Sequence, residues 1–155
     1  MDHNIHCDNV TVLDANKDLD FPEEVRSLGG EDYLKDIAKY DIIFKSSGVP
    51  IVQELLPYKD KIVTQVQLFF DTYPGKVIAI TASKGKSTIS SLVYALLKNA
   101  GYHTKLVGNI GTPIFDEVEI CDAAYCPISD HDFVVIELSS YMLQDLKKHN
   151  YISIL

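Results

Sequence analysis

The sequence predicts an α/β fold with mostly parallel strands, and two observations carry that prediction. Strand-like apolar runs alternate with helix-like segments along the chain. Two of the runs, residues 76–81 (KVIAIT) and 133–138 (FVVIEL), are almost continuously apolar, the pattern of strands buried on both faces of a parallel sheet.

In chain order, residues 10–14 (VTVLD) form a short β-like run with a carboxylate at its end, and residues 16–20 are polar and turn-like. Residues 31–40 (EDYLKDIAKY) put Tyr33, Leu34, Ile37 and Ala38 on one stripe, which predicts a helix. Residues 41–44 (DIIF) form a second strand, followed by the turn Lys45-Ser46-Ser47-Gly48. A helical turn is expected over residues 51–56, a third short strand over 61–64 and a helix over 65–70. Tyr73-Pro74-Gly75 breaks the pattern, and a domain boundary falls there.

Beyond the boundary, KVIAIT runs into a loop of small residues. Residues 87–100 (STISSLVYALLKNA) then place Ile89, Leu92, Val93, Leu96 and Leu97 on one helical face, with Gly101 as the stop. A strand follows at 104–107, a loop at 108–113, the strand FVVIEL, a helix at 140–149 and the opening of one more strand at 151–155 (YISIL).

The length of 155 residues suits one ordinary domain or two small ones. Apolar residues make up 46% and charged residues 23%, enough for a packed core, so global disorder is excluded. Lys plus Arg total 14 against 22 Asp plus Glu, a formal charge of −8. That sign excludes bulk-electrostatic binding of a nucleic acid polymer, although a phosphate site needs only local donors. No apolar run approaches the roughly 20 residues that insert through a bilayer, and the polar start lacks the layout of a secretory signal. Cys7, Cys121 and Cys126 cannot all pair within one chain, so a reduced cytoplasmic setting is the simplest expectation. His3, His6 and Cys7 lie close together, but no second ligand group stands at zinc spacing; they are taken as part of a polar terminus.

The strongest chemical signal is Thr81-Ala82-Ser83-Lys84-Gly85-Lys86-Ser87-Thr88. A buried strand leads into small residues, and Gly-Lys-Ser opens an amphipathic helix. Such a P-loop aims backbone N–H groups at one point, and the helix N-terminus adds positive partial charge. Lys86 suits the β- and γ-phosphates, and Ser87 suits Mg²⁺. The match is imperfect: Ile80 and Ala82 stand where longer or shorter loops of this kind have glycine. An Ala82 forced to positive φ would weaken nucleotide affinity. The plainer interpretation is a surface turn that happens to contain Gly-Lys-Ser.

The second signal is Glu137 at a strand end, placed for a magnesium ion or simply meeting water. The third is the loop Gly108-Asn109-Ile110-Gly111, whose default is a plain turn. Ser46, Gly48 and Asp14 follow strands in the first half, where open α/β sheets bind ligands or merely turn.

Taken in order, IAITASKGKSTISSLVYALLKNAG, VGNIGTP and FVVIELSSYML resemble the Mur ligases, and FKSSGVP is similar to a Ser-Pro-Gly-Ile segment of that family. The resemblance is strong over residues 76–155 and weaker over 10–73. The pairing of GNIG with ELSSYML resembles the members that add D-glutamate to UDP-N-acetylmuramoyl-L-alanine in peptidoglycan synthesis. The resemblance implies a partial Rossmann-like, UDP-substrate-binding domain over 1–73 and the first part of a P-loop, parallel-sheet central ATP-binding domain over 74–155.

It also implies a mechanism. ATP phosphorylates the muramoyl-alanine carboxylate, and the amine of D-glutamate attacks the acyl phosphate, with Mg²⁺ and Lys86 neutralising charge. By motif matching, Ser83, Lys84, Gly85, Lys86, Ser87 and Thr88 hold ATP, and Ser87 and Glu137 ligate Mg²⁺. Asn109 and Ser139 touch the UDP-sugar, and Ser46, Gly48 and Asp14 lie near its uridine-diphosphate end.

The family has three domains. The first strand with its glycine-rich UDP loop, the second-metal ligands (a histidine and a carbamylated lysine) and the D-glutamate-binding C-terminal domain find no counterpart here. The chain is thus expected to be an incomplete piece with little or no ligase activity alone, and its uncovered sheet edges favour self-association. The alternatives are a non-catalytic P-loop nucleotide-binding module and a Mur-type ligase for another amino acid.

Overall fold

The computed structural model describes residues 10–18, 20–23, 25–73, 75–117, 133–144, 146 and 153–154. The expectations for His3, His6, Cys7, Cys121, Cys126 and residues 147–149 lie outside these. The chain divides into two units, Met1–Ile42 with Ile51–Lys61 and Ile43–Pro50 with Ile62–Leu155.

In the first unit, strand β1 (Thr11–Asp14) pairs in parallel with β2 (Arg26–Gly29), in a register running from Thr11 opposite Arg26 to Asp14 opposite Gly29. The chain leaves β1 through two successive side-chain turns. Asn16 N–H donates to Asp14 Oδ1 at 2.8 Å, and Asp18 N–H donates to Asn16 Oδ1 at 3.1 Å. The β2 strand has no apolar alternation, and all four of its residues are exposed, so the sequence pattern does not announce it.

The expected helix at 31–40 is instead a run of tight turns ending in a 3-10 turn, Ile37–Lys39. Its backbone bonds span three residues, from Tyr33 to Gly30, Lys35 to Asp32, Ile37 to Leu34 and Lys39 to Asp36. Of the apolar stripe, only Ile37 is buried, too little packing to offset the cost of nucleating an α-helix. A second 3-10 segment, Gln53–Lys61, carries Pro57 inside it and kinks at Tyr58. Lys61 Nζ ties it to the carbonyls of Ala38 and Tyr40, at 3.2 and 2.8 Å.

In the second unit, β3 (Ile43–Lys45) pairs in parallel with β4 (Ile62–Thr64), which runs directly into helix α1 (Gln65–Thr72). Thr64 caps that helix by accepting the Gln67 N–H at 3.1 Å. The main sheet contains β5 (Lys76–Ile80), β6 (Thr104–Gly108), β7 (Phe133–Glu137) and β8 (Ser153–Ile154), all parallel, in the order β6-β7-β5-β8. This is the parallel α/β architecture that the continuous apolar runs imply.

The core lies on one face of this sheet. Val66, Phe69 and Phe70 of α1 pack with Ile114 of the short helix α3 (Ile114–Glu117) and with Val107, Val134, Ile136 and Leu138. Met142 of α4 (Ser140–Gln144) and Leu146 lie against the same cluster. Helix α2 (Lys86–Asn99) packs on β5, β6 and β7 yet adds nothing to that cluster. The crossovers β5–α2–β6 and β7–α4–β8 run in opposite directions across the sheet. With the usual right-handed sense they put α2 and α4 on opposite faces. Strand alternation then turns Ile78, Ile80, Val135 and Glu137 toward α2.

The apolar face expected for α2 is only half right. Ser90 is fully buried, and Val93 and Leu97 are half-buried, whereas Ile89, Leu92 and Leu96 are 41, 57 and 60% exposed. The row Lys86, Ser90, Val93, Leu97 is the less exposed side of the helix, the side that packs on the strands. Small Ser90 lets the helix come close to the strands.

Candidate functional site

Three strands end level with one another. Ile80 of β5 and Gly108 of β6 both stand opposite Glu137 of β7, so the loops after all three strands leave the sheet side by side. Two further backbone bonds extend the ladder beyond the strands: Leu138 N–H to Ile80 O at 2.9 Å, and Asn109 N–H to Glu137 O at 3.0 Å. The carboxyl edge of a parallel sheet is the ordinary place for a ligand in such folds.

The loop after β5 ends at Gly85, which has φ 78° and caps α2 in the left-handed conformation. Among the described residues no side chain caps this helix start, which leaves its first N–H groups as orphan donors, the arrangement that binds anions. Ser83, Lys84, Gly85, Ser87 and Thr88 are exposed. Lys86 is half-buried and donates from Nζ to the Ala82 carbonyl at 2.8 Å. Ala82 does not have positive φ, since among the described residues only glycines do. Its methyl therefore introduces no backbone strain, contrary to what the glycine of related loops suggests.

Glu137 is fully buried at the end of β7. Its Oε1 accepts from Asn109 Nδ2 at 3.0 Å, and its Oε2 has no hydrogen-bond partner among the described residues. Gly108, at φ 105°, brings the β6 backbone so close that an added Cβ would lie 2.4 Å from the Glu137 carbonyl oxygen. Ser139 serves as the cap of α4, its Oγ accepting from Met142 N–H at 3.3 Å.

The structure thus brings the 82–88 loop, Asn109, Glu137 and Ser139 to one sheet edge. Ser46 and Gly48 sit elsewhere in the same unit, in the turn after β3, where Val49 N–H donates to Ser46 O at 3.1 Å. Asp14 belongs to the other unit and is engaged in its own turn. Sequence reasoning missed Lys45, which is 5% exposed and whose Nζ donates to the carbonyls of Ser46 and Val49, fastening that turn from beneath. Its place at the end of the apolar run DIIF was the available signal. The side-chain bond between Asn109 and Glu137 was also unforeseen, because it depends on strand order.

Among the described residues no three His, Cys, Asp or Glu side chains gather to hold a metal. The residues present do fit a magnesium ion bound together with a nucleotide. A buried carboxylate oxygen without a partner and an exposed serine hydroxyl supply hard oxygen donors, and Mg²⁺ customarily takes its other ligands from phosphate and water.

Fold and site together define a parallel α/β protein with a Gly-Lys-Ser loop and a buried strand-end carboxylate on neighbouring strands. No protein-family model matches the chain. Curated relatives do. The UDP-N-acetylmuramoylalanine–D-glutamate ligase of Acetivibrio thermocellus is 36% identical over 123 residues, covering 77% of this chain and 25% of that enzyme. The enzyme of the same name from Clostridium kluyveri is 40% identical over 121 residues, 76% of this chain and 25% of its own length. That of Clostridium botulinum strain Hall is 37% identical over 130 residues, 81% and 27%. The chain is a Mur-ligase relative of incomplete extent, spanning about a quarter of the length of the curated relatives it matches.

Proposed function

We propose that the chain carries the nucleotide-phosphate site, and part of the UDP-sugar site, of a peptidoglycan ligase that joins D-glutamate to UDP-N-acetylmuramoyl-L-alanine. The names of its relatives support the reaction class. The observation that carries the site assignment is the fully buried Oε2 of Glu137, unpartnered among the described residues, on the strand next to the one that feeds the Gly85–Lys86–Ser87 loop. On this reading residues 1–73 belong to the UDP-substrate-binding part and residues 74–155 to the start of the ATP-binding part.

The roles follow from the chemistry of each group. The orphan N–H groups at the start of α2 and the Lys86 ammonium take the ATP phosphates, with Ser83, Lys84 and Thr88 lining the same loop. The Ser87 hydroxyl and Glu137 Oε2 would hold Mg²⁺, which when bound neutralises phosphate charge and polarises the transferring phosphoryl group. In the complete reaction the γ-phosphoryl group passes to the alanyl carboxylate of the substrate, leaving ADP. The D-glutamate amine then displaces inorganic phosphate and forms the amide. These steps need positioning and charge neutralisation rather than a side-chain nucleophile. Asn109 and Ser139 stand at the edge where the UDP-sugar would approach, and Ser46, Gly48 and Asp14 are assigned to its nucleotide end. The chain spans about a quarter of the length of those relatives, and on this reading it binds nucleotide with little or no ligase turnover by itself.

Calorimetric titration tests the proposal. Saturable binding of Mg²⁺·ATP and of UDP-N-acetylmuramoyl-L-alanine is expected. Binding of ATP without the UDP-sugar would leave a nucleotide-binding module only. Binding of neither would overturn the assignment.

A further inference from the structure

We infer that Asn109 is a positioning residue for the Glu137 carboxylate: its side-chain amide holds Oε1 and thereby presents Oε2 to a divalent cation bound with nucleotide at the Gly85–Ser87 loop. This rests on the nucleotide-site reading above and adds a residue that acts through Glu137.

The two residues are joined twice. Asn109 N–H donates to the Glu137 carbonyl at 3.0 Å, and Asn109 Nδ2 donates to Oε1 of the same residue, also at 3.0 Å. The first bond belongs to the sheet edge and is held there by Gly108, whose missing Cβ allows the approach to the Glu137 carbonyl. It fixes where the Glu137 backbone lies but not how its carboxylate is turned. The last side-chain torsion of glutamate is soft and roughly two-fold, so backbone position alone leaves the carboxylate plane free to rotate. The second bond removes that freedom. A carboxylate only accepts, so the NH₂ half of the amide must face Oε1 and the Asn109 carbonyl oxygen must face away.

The consequence is an asymmetric carboxylate. One oxygen is satisfied within the protein, and the other is buried without a partner among the described residues. A buried acceptor left open is costly, and buried oxygens of this kind are customarily filled by water or a cation. Outer partners that orient a metal-binding carboxylate typically change metal affinity by about ten- to a hundredfold when removed.

The test uses a fluorescent ATP analogue titrated against the 155-residue chain, once in Mg²⁺ and once in EDTA. The wild type is expected to bind more tightly in Mg²⁺. In Asn109→Ala that Mg²⁺-dependent gain should shrink by about ten- to a hundredfold, while affinity in EDTA stays unchanged. Asn109→Gln, which keeps the donor on a longer arm, should recover part of the gain. If Asn109→Ala does not fold, Asn109→Ser gives the same comparison with a side chain too short to reach Oε1. A full Mg²⁺ gain in the variant overturns the inference. So does an equal loss in EDTA, which would mark Asn109 as a support of the loop rather than of the carboxylate. A wild type that binds the analogue with no Mg²⁺ gain overturns it as well, leaving the nucleotide reading standing. A wild type that does not bind the analogue overturns that reading, and this inference with it.

Discussion

Lys86 turns its ammonium back onto the carbonyl of Ala82, 2.8 Å away and four residues earlier, so the loop that would receive phosphate is closed by its own lysine. The bond satisfies an ammonium that is half-buried beside the start of α2.

Replacing Lys86 by Ala removes the one full charge in the loop that is tied to its backbone. A charge-assisted hydrogen bond contributes about 1.5–3 kcal/mol, so ATP affinity should fall by about ten- to a hundredfold or more. Titration of a fluorescent ATP analogue measures this directly. Equal affinity in the two proteins would remove Lys86 from the phosphate site.

Ala82→Gly should leave nucleotide affinity essentially unchanged. The sequence suggested the opposite, because related loops have glycine at this position and a positive φ would have penalised alanine. The backbone of Ala82 is ordinary, so no strain is there to relieve. The substitution should instead lower stability by about 0.4–1 kcal/mol through the greater freedom of the unfolded chain. Urea unfolding and the same nucleotide titration check both halves, and a tighter-binding glycine variant would show that the bound loop adopts a different backbone.

On α2, Leu92→Gln and Leu96→Gln should each change stability by no more than about 0.5 kcal/mol, as surface substitutions do. Both side chains are more than half exposed. Ser90→Leu, by contrast, puts a larger group where the helix meets the sheet with no exposed surface, and overpacking there should cost about 1–3 kcal/mol. Urea midpoints of the three variants decide the rotation of the helix. A large loss at Leu92 together with a neutral change at Ser90 would reverse it.

These contrasts show which features a one-dimensional reading could capture. The unit β5–loop–α2 was legible because each of its parts has a strong local cause: a continuous apolar strand, small loop residues, and a glycine that alone tolerates φ 78°. The parallel sheet was legible for the same reason, from KVIAIT and FVVIEL. What escaped depends on partners. Helical periodicity in EDYLKDIAKY was real, yet the segment buries only Ile37 among its apolar stripe and stays in turns. Strand β2 (RSLG) is held by its neighbour β1 rather than by apolar alternation. The bond from Asn109 to Glu137 joins residues 28 apart. It exists because β7 inserts between β5 and β6 in the sheet and so lies beside β6. Motif spacing named both residues but gave no means of pairing them.

The approach of β6 to Glu137 yields the sharpest stability prediction. Gly108→Ala would combine a positive φ with a Cβ placed 2.4 Å from the Glu137 carbonyl oxygen, a backbone atom that cannot swing aside. Strain and overpacking together should cost about 2–4 kcal/mol. Gly101→Ala supplies the comparison, because Gly101 has φ 88° but nothing within 4 Å of its would-be Cβ. Only the left-handed backbone is penalised there, by about 1–2 kcal/mol. The difference between the two variants in urea unfolding therefore isolates the close contact between β6 and β7, on which the placement of Asn109 depends. If both variants lose the same stability, Gly108 matters only for its φ, and the two strands have room to part at the site.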